Sequence, residues 1–302
     1  MLSEPVDFRS GFVAIVGRPN VGKSTLMNAL IRERLSIVTP KPQTTRQQIL
    51  GILSATDYQV IFMDTPGLLE PAYALQEFMQ QSALQTIHSS EVVIAMTDAT
   101  RSLKDMDEDM IGYLKQSPGP VLLAINKIDR VKKPLLLPLI EEANKRFPFT
   151  HIVPISALAQ EGLDDLLAHV VQALPIGPAL YPTDMLTTQP ERFFVSEIIR
   201  ERLFLFLQDE LPYASAVRIE EFSERENGPT YIHASIILER DTQKGIVIGK
   251  QGAMLKRIGS AAREAIAQFL ERPVYLDLRV KVRPTWRKNE KELKQLGYDR
   301  EH

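Results

Sequence analysis

The chain has 302 residues, 44% of them hydrophobic and 25% charged, with a formal net charge of −2. That length accommodates two domains, each with its own core. The absence of cysteine excludes disulfides and thiol chemistry and fits a reducing cytoplasm. No apolar run is long enough to span a bilayer, the residues before Gly11 do not read as a signal peptide, and the five histidines are scattered without metal-ligand spacing.

The small net charge hides an asymmetry. Residues 1–190 carry 16 basic and 20 acidic side chains, whereas from Arg240 onward there are 15 basic and 8 acidic. A basic end on an otherwise acidic chain points to a polyanionic partner, either RNA or an acidic membrane surface. From charge alone, a solvated basic face reads the same way.

Between Gly11 and Leu174, short apolar runs alternate with helical patterns. The runs are Phe12–Val16, Val60–Met63, Val92–Met96, Val121–Ile125 and His151–Ile155. Continuous apolar runs are typical of parallel strands buried on both faces. Helices are predicted over Ser24–Leu35, Ala74–Ser89, Asp105–Lys115, Pro138–Arg146 and Gly162–Leu174. The expected fold over residues 1–176 is therefore a doubly wound α/β domain with a mostly parallel sheet and functional residues beyond the strand ends.

Pro178, Pro182 and Pro190 follow Pro175, and residues 177–190 read as a proline-containing linker. Residues 191–302 change rhythm. A helix over Glu191–Gln208 precedes strands at Ser215–Phe222 and Thr230–Glu239, with Glu226-Asn227-Gly228-Pro229 as their turn. A helical turn at Lys244–Ile248 and a helix over Ala253–Phe269 follow. Val274–Arg283 alternates apolar and polar residues, as a half-buried strand does. The order is α-β-β-α-α-β. Glu290–His302 reads as a solvated helix or tail.

Each apolar run of the first domain leads into a motif. Gly17-Arg18-Pro19-Asn20-Val21-Gly22-Lys23-Ser24, continuing to Thr25, is a P-loop. Its glycines let successive backbone N–H groups face phosphates, Lys23 reaches the β- and γ-phosphates, and Ser24 offers a hydroxyl to Mg²⁺. Asp64-Thr65-Pro66-Gly67 places a carboxylate where it can hold Mg²⁺ through water, and a glycine N–H close to a γ-phosphate.

Asn126-Lys127-Ile128-Asp129 decides the base. A carboxylate at Asp129 accepts two hydrogen bonds from guanine N1–H and its exocyclic amine, a pair that adenine lacks. Asn126 and Lys127 are expected to frame the base, and Ser156-Ala157 to close the pocket through a backbone N–H. In the polar loop between Ser36 and Gln48, Thr45, with Thr44 as the alternative, can ligate Mg²⁺ when a γ-phosphate orders the segment. Lys23, Thr45 and Gly67 are thus the expected catalytic set, and Ser24, Thr45 and Asp64 the metal set. Leu68 stands where Ras-type GTPases carry a water-positioning glutamine. Slow unaided hydrolysis is expected, with a monovalent cation, a backbone group or a partner in the glutamine's place.

In the second domain, Gly249-Lys250-Gln251-Gly252 between two helices fits the Gly-x-x-Gly loop with which KH domains clamp nucleotide backbones. Lys244, Lys256, Arg257, Lys281 and Arg283 complete the expected RNA-binding set. Trp286, among Arg283, Arg287 and Lys288, is a candidate for stacking on nucleotides or for packing.

These motifs, together with Gln43-Thr44-Thr45-Arg46, Asp209–Tyr213 and Gly245–Gly252, resemble the Era family of bacterial GTPases from Gly11 to Leu296. The resemblance implies GTP/GDP and Mg²⁺ as ligands and a KH domain that binds the 3′ end of small-subunit ribosomal RNA. It further implies a role in small-subunit assembly, a monomer, and a cytoplasmic location with peripheral attachment to the membrane. Asn20 matches an asparagine that can help hold K⁺ in related GTPases. Two rival readings are an RNA-binding module with a purely structural nucleotide and a membrane-associated signalling GTPase whose basic end binds lipid. An ATPase conflicts with Asp129.

Overall fold

The computed structural model describes residues 7–104, 106–225 and 228–298; Glu226 and Asn227 of the expected turn lie outside them. The chain forms two compact units that interleave in sequence. One comprises residues up to Ser36, Thr45–Pro71 and Met79–Thr188; the other comprises Ile37–Thr44, Ala72–Phe78 and Gln189 onward.

The first unit is built on a six-stranded sheet of order β2-β3-β1-β4-β5-β6. Its strands are β1 (Arg9–Gly17), β2 (Ile49–Ser54), β3 (Tyr58–Asp64), β4 (Val92–Asp98), β5 (Val121–Asn126) and β6 (His151–Pro154). All neighbours pair in parallel except β2 with β3. The antiparallel β2 was not evident in the sequence. Its Ile49-Leu50-Gly51-Ile52 segment is short and follows a polar loop.

Helix α1 (Lys23–Ile31) ends earlier than the periodicity predicts, because Arg32 turns left-handed at φ 62°. Asn28 directs that turn. Its Oδ1 accepts from Leu35 N and Ser36 N, and its Nδ2 donates to Ser36 O. Helix α2 (Ala74–Ser89) matches its expected span, and α3 (Glu108–Leu114) starts after Asp107, whose carboxylate caps it by accepting from Met110 N at 3.0 Å. Helices α4 (Leu136–Arg146) and α5 (Leu163–Ala173) complete the unit.

The proline-containing segment is strapped to this sheet rather than free. Gly177 N donates to Phe8 O, Gln59 bonds the backbone of Leu180 and Tyr181, and Ile52 N donates to Leu186 O at 2.8 Å.

In the second unit, α6 (Glu191–Phe206) and α8 (Ala253–Phe269) cover one face of a three-stranded sheet of order β7-β8-β9. Strands β7 (Ala216–Ser223) and β8 (Thr230–Leu238) are antiparallel, and β8 and β9 (Val274–Val282) are parallel. Val195, Ile199, Ile232, Ala262 and Ile266 form the core between them. Helix α7 (Asp241–Ile248) is a full helix rather than a single turn; Gln243 Oε1 caps its start by accepting from Glu239 N at 3.0 Å and Arg240 N at 3.1 Å. Lys41 Nζ donates to the last-turn carbonyls of α6, Phe204 O at 2.7 Å and Leu207 O.

Two open readings of the C-terminal region are decided by the structure. Trp286 is fully buried, donates from Nε1 to Ala214 O at 3.1 Å and stacks with Tyr298, so it packs and does not offer a face to nucleotides. The segment after it takes the helical form of its two readings, mostly exposed but pinned by two buried side chains, and residues 299–302 lie outside the described residues. Asn289 caps α9 (Glu290–Gln295), and Leu293 and Tyr298 are buried.

Candidate functional site

The P-loop joins β1 to α1 at the C-terminal edge of the parallel sheet, where such folds bind ligands. Gly22 takes a left-handed φ of 106°, and a Cβ there would fall 2.2 Å from Asn126 Nδ2; only glycine fits both constraints. Lys23 is buried, with Nζ donating to Gly17 O at 3.1 Å and Arg18 O at 3.2 Å. Those bonds hold the ammonium inside the loop that is built to wrap phosphates.

Beside it, Asp64 Oδ2 accepts from Ser24 Oγ at 2.7 Å, Ser36 Oγ at 2.9 Å and Thr45 Oγ1 at 3.3 Å, and the Ser24 and Thr45 hydroxyls are 2.9 Å apart. Thr45, rather than Thr44, is therefore the threonine brought to Ser24 and Asp64. Burial raises the Asp64 pKa, opposed by Lys23 and by the three hydroxyls. Its Oδ1 is buried with no hydrogen-bond partner. A buried carboxylate with an orphaned oxygen, flanked by three hydroxyls, fits a hard divalent cation with oxygen ligands such as Mg²⁺.

Asn126, expected to frame the base, also links two loops. Its Nδ2 donates to Val21 O at 2.7 Å and its Oδ1 accepts from Ala157 N at 2.9 Å, so it ties the P-loop to the Ser156-Ala157 segment. Lys127 Nζ donates to Asn20 O at 2.7 Å and pairs with Asp98 at 2.5 Å. Asp98 went unnoticed in the sequence, where it is one more acid at a strand end. Burial pushes its pKa up, but its bonds with Lys127 and Thr100 outweigh this and hold it below the usual carboxylate value. Asp129 Oδ1 accepts from Ser156 Oγ at 2.6 Å, which holds the carboxylate while leaving it partly exposed. The side chain of Ser156 thus holds Asp129, while its own N–H donates to Glu161 O at 3.0 Å.

In the second unit, Gly249 and Gly252 adopt φ 72° and 80° around Lys250 and Gln251, and a Cβ on Gly249 would meet Met254 at 2.8 Å. Next to this loop is a groove of about 390 Å³ lined by Gly252, Leu255, Lys256, Gly259, Ser260, Arg263, Leu276 and Leu278. Arg263 was missed in the sequence, although it sits seven residues from Lys256 and so on the same helix face.

Several of the expected RNA-binding cations lie elsewhere. Leu276 and Leu278 face the groove, so Lys281, of opposite parity along β9, faces away and pairs with Glu220 at 2.8 Å. Arg283 pairs with Glu292 at 2.8 Å. The Arg257 guanidinium lies 4.5 Å from the centre of the Phe206 ring. Lys244 is half-buried on α7, and Lys250 is exposed at the loop tip.

A P-loop, a buried carboxylate with an orphaned oxygen and an Asn-Lys-x-Asp segment after a strand, joined in one chain to a Gly-x-x-Gly groove, define a GTPase carrying a KH domain. Family models agree: one described as "50S ribosome-binding GTPase" matches residues 12–127, and one described as "KH domain" matches residues 210–287. The chain is 47% identical to GTPase Era of Geobacter metallireducens, over 96% of this chain and 98% of the relative. It is 45% identical to GTPase Era of Lacticaseibacillus paracasei, over 97% and 98%.

Two solved structures superpose at TM-score 0.93 with 41% identity, each covering 96% of this chain and 99% of the other. They are Aquifex aeolicus Era bound to GDP·AlF4⁻, and Era with MgGDPNP and nucleotides 1506–1542 of 16S ribosomal RNA. The chain belongs to the Era family of GTPases.

Proposed function

We propose that the chain is a GTP-hydrolysing switch that binds the 3′ end of small-subunit ribosomal RNA through its KH groove and assists assembly of the small ribosomal subunit. The observation that carries this reading is the pairing, in one chain, of the Asp64–Ser24–Thr45 cluster with the groove beside Gly249–Gly252. It is supported by the structural likeness to an Era complex with MgGDPNP and a 16S RNA fragment.

In this reading Lys23 and the P-loop N–H groups from Asn20 to Thr25 hold the phosphates. Ser24, Thr45 and Asp64 would hold Mg²⁺, which would supply neutralisation of the charge that develops on the phosphates. Gly67 offers its N–H to the γ-phosphate, and Asp129 reads guanine. Lys256, Arg263 and Lys250 meet RNA phosphates, and Leu255, Leu276 and Leu278 meet bases or sugars.

The rival lipid-binding reading rested on the basic C-terminal stretch. Lys281, Arg283 and Arg287 are ion-paired to Glu220, Glu292 and Glu239, which leaves that stretch less suited to an anionic bilayer. Among the described residues no helix is long and apolar enough to cross a membrane.

The test is GTP hydrolysis with and without RNA carrying the 16S 3′ end. Stimulation supports one coupled cycle. Tight RNA binding without stimulation favours two uncoupled modules.

A further inference from the structure

Leu68 replaces the glutamine that in Ras-type enzymes orients the attacking water, and the structure shows where it goes. Its side chain is fully buried, in the core cluster with Ala83, Ile87, Leu103 and Met106. Its backbone is fastened to the P-loop on both sides. Leu68 N donates to Gly17 O at 3.1 Å, and Leu68 O accepts from Arg18 Nη1 at 3.2 Å. The other arm of the Arg18 guanidinium forms an ion pair with Asp107 Oδ2, whose Oδ1 caps α3.

The preceding residue is equally confined. A Cβ at Gly67 would fall 2.8–2.9 Å from atoms of Pro19, so Gly67 rides directly on the P-loop. Arg18 is therefore a clamp with one end on a helix cap and the other on the peptide that follows Gly67. With both polar groups of Leu68 committed, the Asp64–Leu68 turn has little freedom to swing, and the Gly67 N–H is held against the loop that binds phosphate.

We infer that Arg18, held by Asp107, is a positioning residue for GTP hydrolysis. It acts through the Leu68 carbonyl to fix the Gly67 amide at the γ-phosphate, in place of the mobile glutamine-bearing switch of Ras-type enzymes. The inference rests on the GTPase reading of this site. It predicts an effect specific to the γ-phosphate, because a GDP site has no partner for Gly67.

The experiment compares wild type, Arg18→Ala, Arg18→Lys and Asp107→Asn in the full chain. Affinities for GDP and for GDPNP are measured by titration, and GTP cleavage by single-turnover kinetics. Losing a charge-assisted positioning bond should weaken GDPNP and slow single-turnover cleavage about tenfold in Arg18→Ala, while GDP changes by less than about threefold. Arg18→Lys, which cannot fork between a carbonyl and a carboxylate, should recover only part of the loss. Asp107→Asn should act in the same direction, and the Arg18→Ala/Asp107→Asn double variant should be no worse than Arg18→Ala alone.

Equal losses for GDP and GDPNP would overturn the inference, marking Arg18 as a general P-loop support. So would additive effects of the two substitutions. Asp107→Asn keeps the test available if Arg18→Ala fails to fold. A wild-type chain that binds neither nucleotide would instead sink the GTPase reading itself.

Discussion

Asn126→Ala gives the sharpest measure of how the nucleotide pocket is held. The side chain is 3% exposed and makes two bonds, to Val21 O at 2.7 Å and from Ala157 N at 2.9 Å, both buried. Truncation leaves a buried carbonyl and a buried amide unpaired, each costing about 1–3 kcal/mol. Water that enters the vacated space recovers part of this, so a net loss of about 3 kcal/mol is a reasonable middle. At about 1.4 kcal/mol per decade, that is roughly a hundredfold weaker GDP binding.

The loss is expected in affinity more than in fold, since both partners, Val21 O and Ala157 N, lie in loops beyond the strand ends. The assay is calorimetric titration of GDP, paired with thermal melting of the nucleotide-free chain. An affinity within about threefold of wild type would refute the strut argument. So would an affinity loss fully accounted for by the fraction of chain unfolded at the assay temperature.

Asp129→Asn should shift preference from guanine toward xanthine nucleotides, because an amide donor replaces a carboxylate acceptor; competition between GDP and XDP reads this directly. Asp64→Asn should abolish Mg²⁺-dependent tightening of GTP-analogue binding while raising the melting temperature of the nucleotide-free chain at neutral pH. The sign follows from the raised pKa. For a carboxyl pushed up by burial, the contribution to stability is full below the usual value of 3.8 and is lost as pH rises through the higher folded value. Melting of wild type and variant across that range should therefore converge in acid and separate above it. Lys256→Ala and Arg263→Ala should each weaken RNA binding and lower the salt slope by about one, whereas Lys281→Ala, on the far face, should leave both close to wild type. Gly249→Asp should remove RNA binding and spare GDP, since its φ of 72° and the Met254 contact exclude a side chain; filter binding and GDP titration on the same preparation separate the two.

Much of the site was legible because its signals are local. The glycines and lysine from Gly17 to Lys23, the apolar run that ends in Asp64, and the aspartate of Asn126–Asp129 each carry their chemistry within a few residues. The strand-then-helix context of each could be read from periodicity alone. The alternation of Val274–Val282 likewise marked a half-buried strand before any coordinate was known.

What only the tertiary structure decided are the pairings between distant segments. Asn126 and Val21 are 105 residues apart, and Arg18 and Asp107 are 89 apart. No periodicity connects such positions, so neither the bonds of Asn126 to Val21 and Ala157 nor the pairing of Arg18 with Asp107 could be foreseen. Parity along β9 was visible, but which face meets the groove depends on where α8 packs, and that set Lys281 on the face opposite the groove and Arg263 beside it. Trp286 was ambiguous for the same reason. An aromatic among cations suits stacking or packing equally, and the fold settled the choice by burying the ring and giving its N–H the carbonyl of Ala214. Residue type and spacing fix what a side chain can do; the partner it does it with is chosen by packing, which brings together residues the sequence keeps far apart.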